Sequence, residues 1–173
     1  NYEAAGVQKA MADAMRYWVE EFDIDGYRCD VAGFVPRDFW NGVRVQLDSI
    51  KPVWMLAEWN ARDLHDHAFD ATYAWSFHEA MHKVHTGEMN AAGLKYTLAE
   101  WCNSTPQDDY QMLFTTNHDK NAWEGTLEEF FGPLYEAFVV LTFTAEGIPL
   151  IYSGQEAGFD EPLAFFEKDT ITW

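Results

Sequence analysis

At 173 residues with 48% apolar side chains, the chain is long enough for one ordinary domain with a real core. Its 29 acids against 11 bases give a formal charge of −18, which argues against nucleic acid or an anionic membrane as partner, because no Lys/Arg cluster offsets the repulsion of their phosphates. No run of 18 apolar residues predicts a membrane-spanning helix, and no basic-then-apolar start marks a signal peptide, which leaves the compartment open if the chain is part of something longer.

From Val7 to Phe22, the apolar residues Val7, Met11, Ala14, Met15, Trp18, Val19 and Phe22 recur at spacings of three and four, one face of an amphipathic helix. Asp23-Ile24-Asp25-Gly26 breaks it and leads into a short strand over residues 26–31. Arg28 and Asp30, two apart, are expected on the same side of that strand. Pro36 starts the next helix, with Phe39, Val43, Leu47 and Ile50 as its buried stripe, and Pro52 ends it. Residues 53–57 form a continuous apolar run of strand length, as suits a parallel sheet covered on both faces. The pattern then predicts a strand over 69–75, helices over 78–89 and 93–102, and a strand over 110–116. A long helix over 127–146, a strand over 148–152 and a short helix over 162–168 complete the chain. Strands alternating with helices imply βα units and a parallel sheet, the α/β class.

Two cysteines do not make a disulfide framework, and Cys29, inside a strand, reads as an inert core thiol. Aromatics are dense, with 8 Trp, 8 Tyr and 13 Phe; most serve the core, while Trp59 is a candidate platform for a sugar ring.

Three strings carry the chemistry: Gly26-Tyr27-Arg28-Cys29-Asp30, Leu56-Ala57-Glu58-Trp59 and Phe114-Thr115-Thr116-Asn117-His118-Asp119. Each places an acid at the end of an apolar or β-favouring run. Acids collected at the C-terminal ends of several strands are what a (β/α) barrel needs to build one active site. Three carboxylates with an arginine and a histidine suit glycosidic-bond chemistry, in which one acid attacks and another donates a proton.

These strings resemble segments of the α-amylase family of glycoside hydrolases, whose signatures read Gly-Phe-Arg-x-Asp, a Glu after an apolar strand, and Asn-His-Asp. The resemblance runs from Asn1-Tyr2 to Gly147-Ile148-Pro149-Leu150-Ile151-Tyr152-Ser153-Gly154-Gln155-Glu156, which looks like the family's eighth strand and the loop after it. It implies a partial (β/α)8 TIM barrel of about five βα units, beginning just before the fourth strand and lacking strands 1 to 3, so that residues 1–173 are a fragment of one catalytic barrel domain.

The resemblance also implies roles: Asp30 as nucleophile, Glu58 as general acid and Asp119 as the third acid, with Arg28 and His118 binding the reactive sugar. The implied reaction is retaining hydrolysis, or transfer, at α-glucosidic bonds of starch-like glucans, with an α-glucan or maltooligosaccharide as partner. Where many members carry Lys-His three and four positions after the nucleophile, this chain carries Gly33 and Phe34. No cofactor or metal is required by the residues themselves; the family's segment tied to calcium belongs to the third strand, in the longer parent.

Two other readings compete. An open five-stranded sheet would expose two edges and an apolar face, so the chain alone could be a catalytically incompetent piece that folds or self-associates. More remotely, His78-Glu79-Ala80-Met81-His82 matches the zinc-protease pattern, with His85 and Glu100 as further ligands. In the barrel reading that segment is an outward-facing helix. His65-Asp66-His67 reads as a solvated loop.

Overall fold

The structure is a computed structural model and describes residues 1–4, 6–106 and 108–173. These form two compact units, Asn1–Tyr73 with Thr105–Tyr110, and Ala74–Ser104 with Gln111–Trp173. No helix among the described residues is long and apolar enough to cross a membrane.

In the first unit, helices α1 (Val7–Phe22) and α2 (Arg37–Asp48) accompany three short strands, β1 (Gly26–Cys29), β2 (Trp54–Ala57) and β3 (Ala71–Tyr73). β2 lies between the other two and pairs with both in parallel. The α2 stripe is as expected: Phe39, Val43 and Leu47 are buried, and Ile50 packs against the same cluster. The α1 stripe divides. Ala12, Met15 and Val19 enter the core, while Met11, Trp18 and Phe22 stay exposed, Trp18 and Phe22 meeting Tyr17 edge-on. An apolar residue at helical spacing thus marks the core only when it falls on the narrower line that meets α2 and the sheet.

In this unit two strands end earlier than the sequence suggests. β1 stops at Cys29, because Val31 adopts a left-handed φ of 45° and turns the chain. Asp30 therefore follows the strand and does not extend it. β3 stops at Tyr73, and Trp75, read as strand, opens the next helix.

In the second unit, α3 (Trp75–Thr86) and α4 (Ala91–Ser104) precede β4 (Tyr110–Leu113), whose last three residues belong to this unit. β4 pairs in parallel with β5 (Ile148–Pro149) through Met112↔Ile148 and Leu113↔Pro149. Between them lie α5 (His118–Glu124), α6 (Leu127–Phe131) and α7 (Tyr135–Thr144). The core joins Phe77 and Met81 of α3 with Leu113, Phe131 and Phe138.

The long helix expected over 127–146 is broken. Thr126 and Glu129 form a reciprocal cap at the start of α6, but Gly132-Pro133 interrupts it with a 3-10 turn, Gly132 at φ 52°. Proline lacks the N–H and disfavours α geometry before it. α5 lies where the sequence pattern predicts no element. The short helix expected over 162–168 is absent, since the Leu163 and Ala164 N–H groups bond to the side chains of Asn121 and Asp169. The strand expected over 148–152 keeps only its first two residues.

Gly26 is dictated by strand approach: a Cβ there would lie 2.0 Å from the Trp54 carbonyl oxygen. Gly42, in α2, has nothing within 4 Å of the equivalent point. Gly26→Ala is expected to lower stability by about 1–3 kcal/mol through overpacking. Gly42→Ala is expected to raise it by about 0.4–1 kcal/mol by restricting the unfolded chain. Urea midpoints of the two variants check the contrast.

Candidate active site

The pairing Cys29↔Ala57 sets Asp30 and Glu58 one residue beyond the ends of adjacent parallel strands, and Glu58 N–H donates to the Cys29 carbonyl at 3.0 Å. Arg28 spans the two acids. Its Nη1 lies 2.5 Å from Asp30 Oδ1 and its Nη2 2.5 Å from Glu58 Oε1, while Nε donates to the Tyr73 hydroxyl at 3.3 Å. The guanidinium also sits 5.7 Å from the centroid of the Tyr73 ring. Burial works against its charge, but hydrogen bonds to Tyr73 and Asp30, with the nearby Glu58, hold the Arg28 pKa above its ordinary value.

The two acids differ in setting. The Asp30 side chain is 77% exposed; that of Glu58 is 12% exposed, and its second oxygen accepts from Val31 N–H at 2.8 Å. The left-handed turn at Val31 delivers that N–H. Cys29, between Arg28 and Asp30 in sequence, is buried, and burial pushes its thiol up to about 12, as an inert core thiol requires.

Beside these acids Trp59 and Phe34 make a tilted ring pair, centroids 5.3 Å apart, with Phe34 80% exposed. They line a cavity of about 450 Å³ with Gly33, Val35, Pro36, Arg37, Ala61, Asp63 and Leu64. A Cβ at residue 33 would fall 2.1 Å from the Trp59 indole, so Gly33 is the residue that lets Trp59 lie there.

In the second unit, β4 runs on as the buried segment Phe114, Thr115, Thr116 and Asn117. Asn117 caps α5, its Oδ1 accepting from Asp119 N–H at 3.0 Å and Lys120 N–H at 2.9 Å. This cap presents His118 and Asp119 on the first turn, with His118 Nε2 at 3.6 Å from Asp119 Oδ1. Thus Arg28, Asp30 and Glu58 meet in the first unit, and His118 and Asp119 adjoin in the second. Sequence reasoning passed over Tyr73, the third contact of Arg28, and Phe165, whose ring stacks on His118 at 5.7 Å. Tyr73 ends an apolar strand as the acids do, which was its available signal. Phe165 had none, lying in a stretch read as helix.

Two histidine readings are corrected. The segment around His78 is not an outward-facing helix: His78 is 1% exposed, stacks between Phe114 and Phe130, and shares its Nε2 with the Thr115 carbonyl at 3.1 Å. Glu79 instead pairs with Lys83, and His82 stacks on Phe130. Among the described residues, neither unit by itself gathers three metal-ligating side chains at one point. His65 is likewise no solvated loop residue; it is buried, its Nε2 3.0 Å from Thr72 Oγ1.

The family described as alpha amylase, catalytic domain, matches residues 1–171. The intracellular maltogenic amylase of Bacillus subtilis is 31% identical over 89% of this chain and 27% of its own length. A noncanonic maltogenic α-amylase from Thermotoga neapolitana superposes with a TM-score of 0.83 at 32% identity, covering 96% of this chain and 39% of that one. An α-amylase from Lactobacillus plantarum gives a TM-score of 0.85 at 27% identity, covering 98% and 44%. The chain belongs to the α-amylase family. It spans about a quarter of the length of the curated relatives it matches first. These neighbours are α-amylase barrels, and the chain has the α/β fold of part of such a (β/α)8 barrel.

Burial holds His65 at about 4 and His78 at about 3, both below the ordinary 6.5, with the charge of Lys120 adding to the effect at His78. Above 6.5 both are neutral folded or unfolded; as the pH falls from 6.5 toward 4, the unfolded chain takes up protons that the folded one refuses. Stability is therefore expected to drop across that window. Urea denaturation at pH 7.5 and 5.0 should show a lower midpoint at pH 5.0, and a smaller difference in His78→Gln.

Proposed function

We propose that the protein carrying this chain is a retaining glycoside hydrolase or transglycosylase acting on α-glucosidic bonds of starch-like glucans, in which residues 1–173 are part of a single catalytic barrel domain. The observation that carries the reading is the single guanidinium of Arg28 shared by Asp30 and Glu58 at paired strand ends. Asp30, exposed and oriented by its ion pair with Arg28, attacks the anomeric carbon; Glu58 donates a proton to the departing oxygen; water or a second sugar resolves the glycosyl-enzyme. Glu58 must first loosen from Arg28 or Val31, because both of its oxygens accept hydrogen bonds in this conformation. By the resemblance, Asp119 and His118 bind sugar hydroxyls, and Trp59 with Phe34 offers ring faces to the glucan chain. The names of the relatives, maltogenic amylase and cyclomaltodextrinase, support a maltooligosaccharide substrate. A neutral sugar polymer also suits a net charge of −18.

By the resemblance, calcium is an option in the full-length parent, held by a segment of the third strand, and no step of this mechanism is routed through it.

By itself the chain is expected to self-associate and to turn over glucans feebly or not at all. β1 and β5 are end strands, and Tyr17, Trp18 and Phe22 form an exposed aromatic patch on α1. Sedimentation of the purified chain checks this, and a monodisperse monomer with robust starch hydrolysis contradicts it.

The chemistry is tested in the longest natural protein that carries the chain, on maltooligosaccharides. Glu58→Gln is expected to lower kcat by about 100- to 10,000-fold, the range for losing a positioned acid. Asp30→Asn should abolish accumulation of the glycosyl-enzyme, and NMR of the first product should show the α-anomer. A β-anomeric product, or near-normal turnover by Glu58→Gln, overturns the assignment.

A further inference from the structure

The segment after the last 3-10 turn of the second unit has no regular secondary structure, yet it is tied down at several points. Asn121, buried on α5, grips it like a neighbouring peptide: its Nδ2 donates to the Glu161 carbonyl at 3.1 Å and its Oδ1 accepts from Leu163 N–H at 2.7 Å. One residue further, Asp169 accepts from Ala164 N–H at 2.9 Å and from Thr170 N–H at 2.8 Å, closing the chain into a turn. Those two backbone donors hold the Asp169 carboxyl below its usual range. Between these ties stands Phe165. Its ring lies nearly parallel to the imidazole of His118, 20° between planes with centroids 5.7 Å apart, and it is braced by Trp123 at 5.3 Å and edge-on by Phe166 at 4.5 Å.

A helix end restrains the His118 backbone but not its ring, and a side chain 44% exposed has few other contacts to fix it. We infer that Phe165 is a positioning residue for His118: the Asn121-anchored strap of residues 161–166 lays its ring against the imidazole and holds that ring in the plane from which Nε2 faces Asp119. This rests on the reading above, in which His118 binds the reactive sugar, and it adds a residue outside all three acidic strings. Stacking of this kind is worth about a 2- to 10-fold change in an equilibrium.

The test is a double-mutant cycle in the longest natural protein, read on a maltooligosaccharide. Phe165→Leu is expected to lower kcat/KM about 3- to 10-fold, and Phe165→Tyr, which keeps the ring, to stay within about 2-fold. In a His118→Ala background, Phe165→Leu should cost almost nothing more, because the ring it positions is gone. An equal loss with His118 absent overturns the inference, leaving Phe165 a residue of general packing. A readout that needs no turnover separates this from failure of the catalytic reading. In protein labelled with 13C at histidine Cε1, the His118 resonance, assigned by its loss in His118→Ala, should lie upfield from ring shielding and move downfield in Phe165→Leu. A resonance unmoved by Phe165→Leu also overturns the inference, whether or not glucans are cleaved.

Discussion

One guanidinium holds the first unit's site together. Without Arg28, Asp30 and Glu58 would be two acids at neighbouring strand ends, one of them largely sheltered from water, with no cation between them. With it, both acids are drawn to a common centre, and the fork geometry of arginine fixes where each oxygen lies. Lysine could supply the charge but not two separate contacts with a third to Tyr73. The contact depends in turn on strand register. Slipping β1 by one residue against β2 would turn Arg28 to the other face and part the two acids. The close approach of Gly26 to the Trp54 carbonyl guards against that slip, so a residue with no side chain, at the far end of the strand, helps fix the spacing of the acids.

The second unit solves a comparable problem with amides instead of charge. Asn117 caps α5 and so sets the direction of the turn that carries His118 and Asp119, while Asn121, one turn on, fastens the later chain across the same helix. Both asparagines are buried; the Asn117 Oδ1 and both polar groups of the Asn121 amide find partners on the backbone. A buried amide is tolerated when its polar groups are bonded, and here those bonds organise chain segments far apart in sequence.

How much of this could be read from the sequence follows from how local each determinant is. The acids at strand ends, the buried face of α2 and the apolar run of β2 are set within a few residues, and their spacing shows it. The limits of β1 depend on a left-handed φ at Val31, a conformation that the letter Val does not advertise. The helix over 127–146 obeyed its periodicity but overlooked Gly132-Pro133, where local breakers outweigh hydrophobic pattern. His78 misled for the opposite reason. Its match to a metal-binding string is local, whereas its burial between Phe114 and Phe130 depends on residues 36 and 52 positions away. Phe165 and its histidine are 47 positions apart, and no spacing rule connects them.

The departure at Gly33 and Phe34 follows from the same contacts. Three positions after Asp30, the chain could not accept even a methyl group, because the Trp59 indole occupies the space at 2.1 Å. Trp59 immediately follows the acid Glu58, so its ring is set by the strand that sets Glu58. Once a tryptophan stands there, glycine at 33 is a steric consequence, and Phe34 beside it is turned outward to face the cavity. The apolar wall on this side of the acids is therefore set jointly by two chain segments. A polar residue placed at 33 alone would displace Trp59.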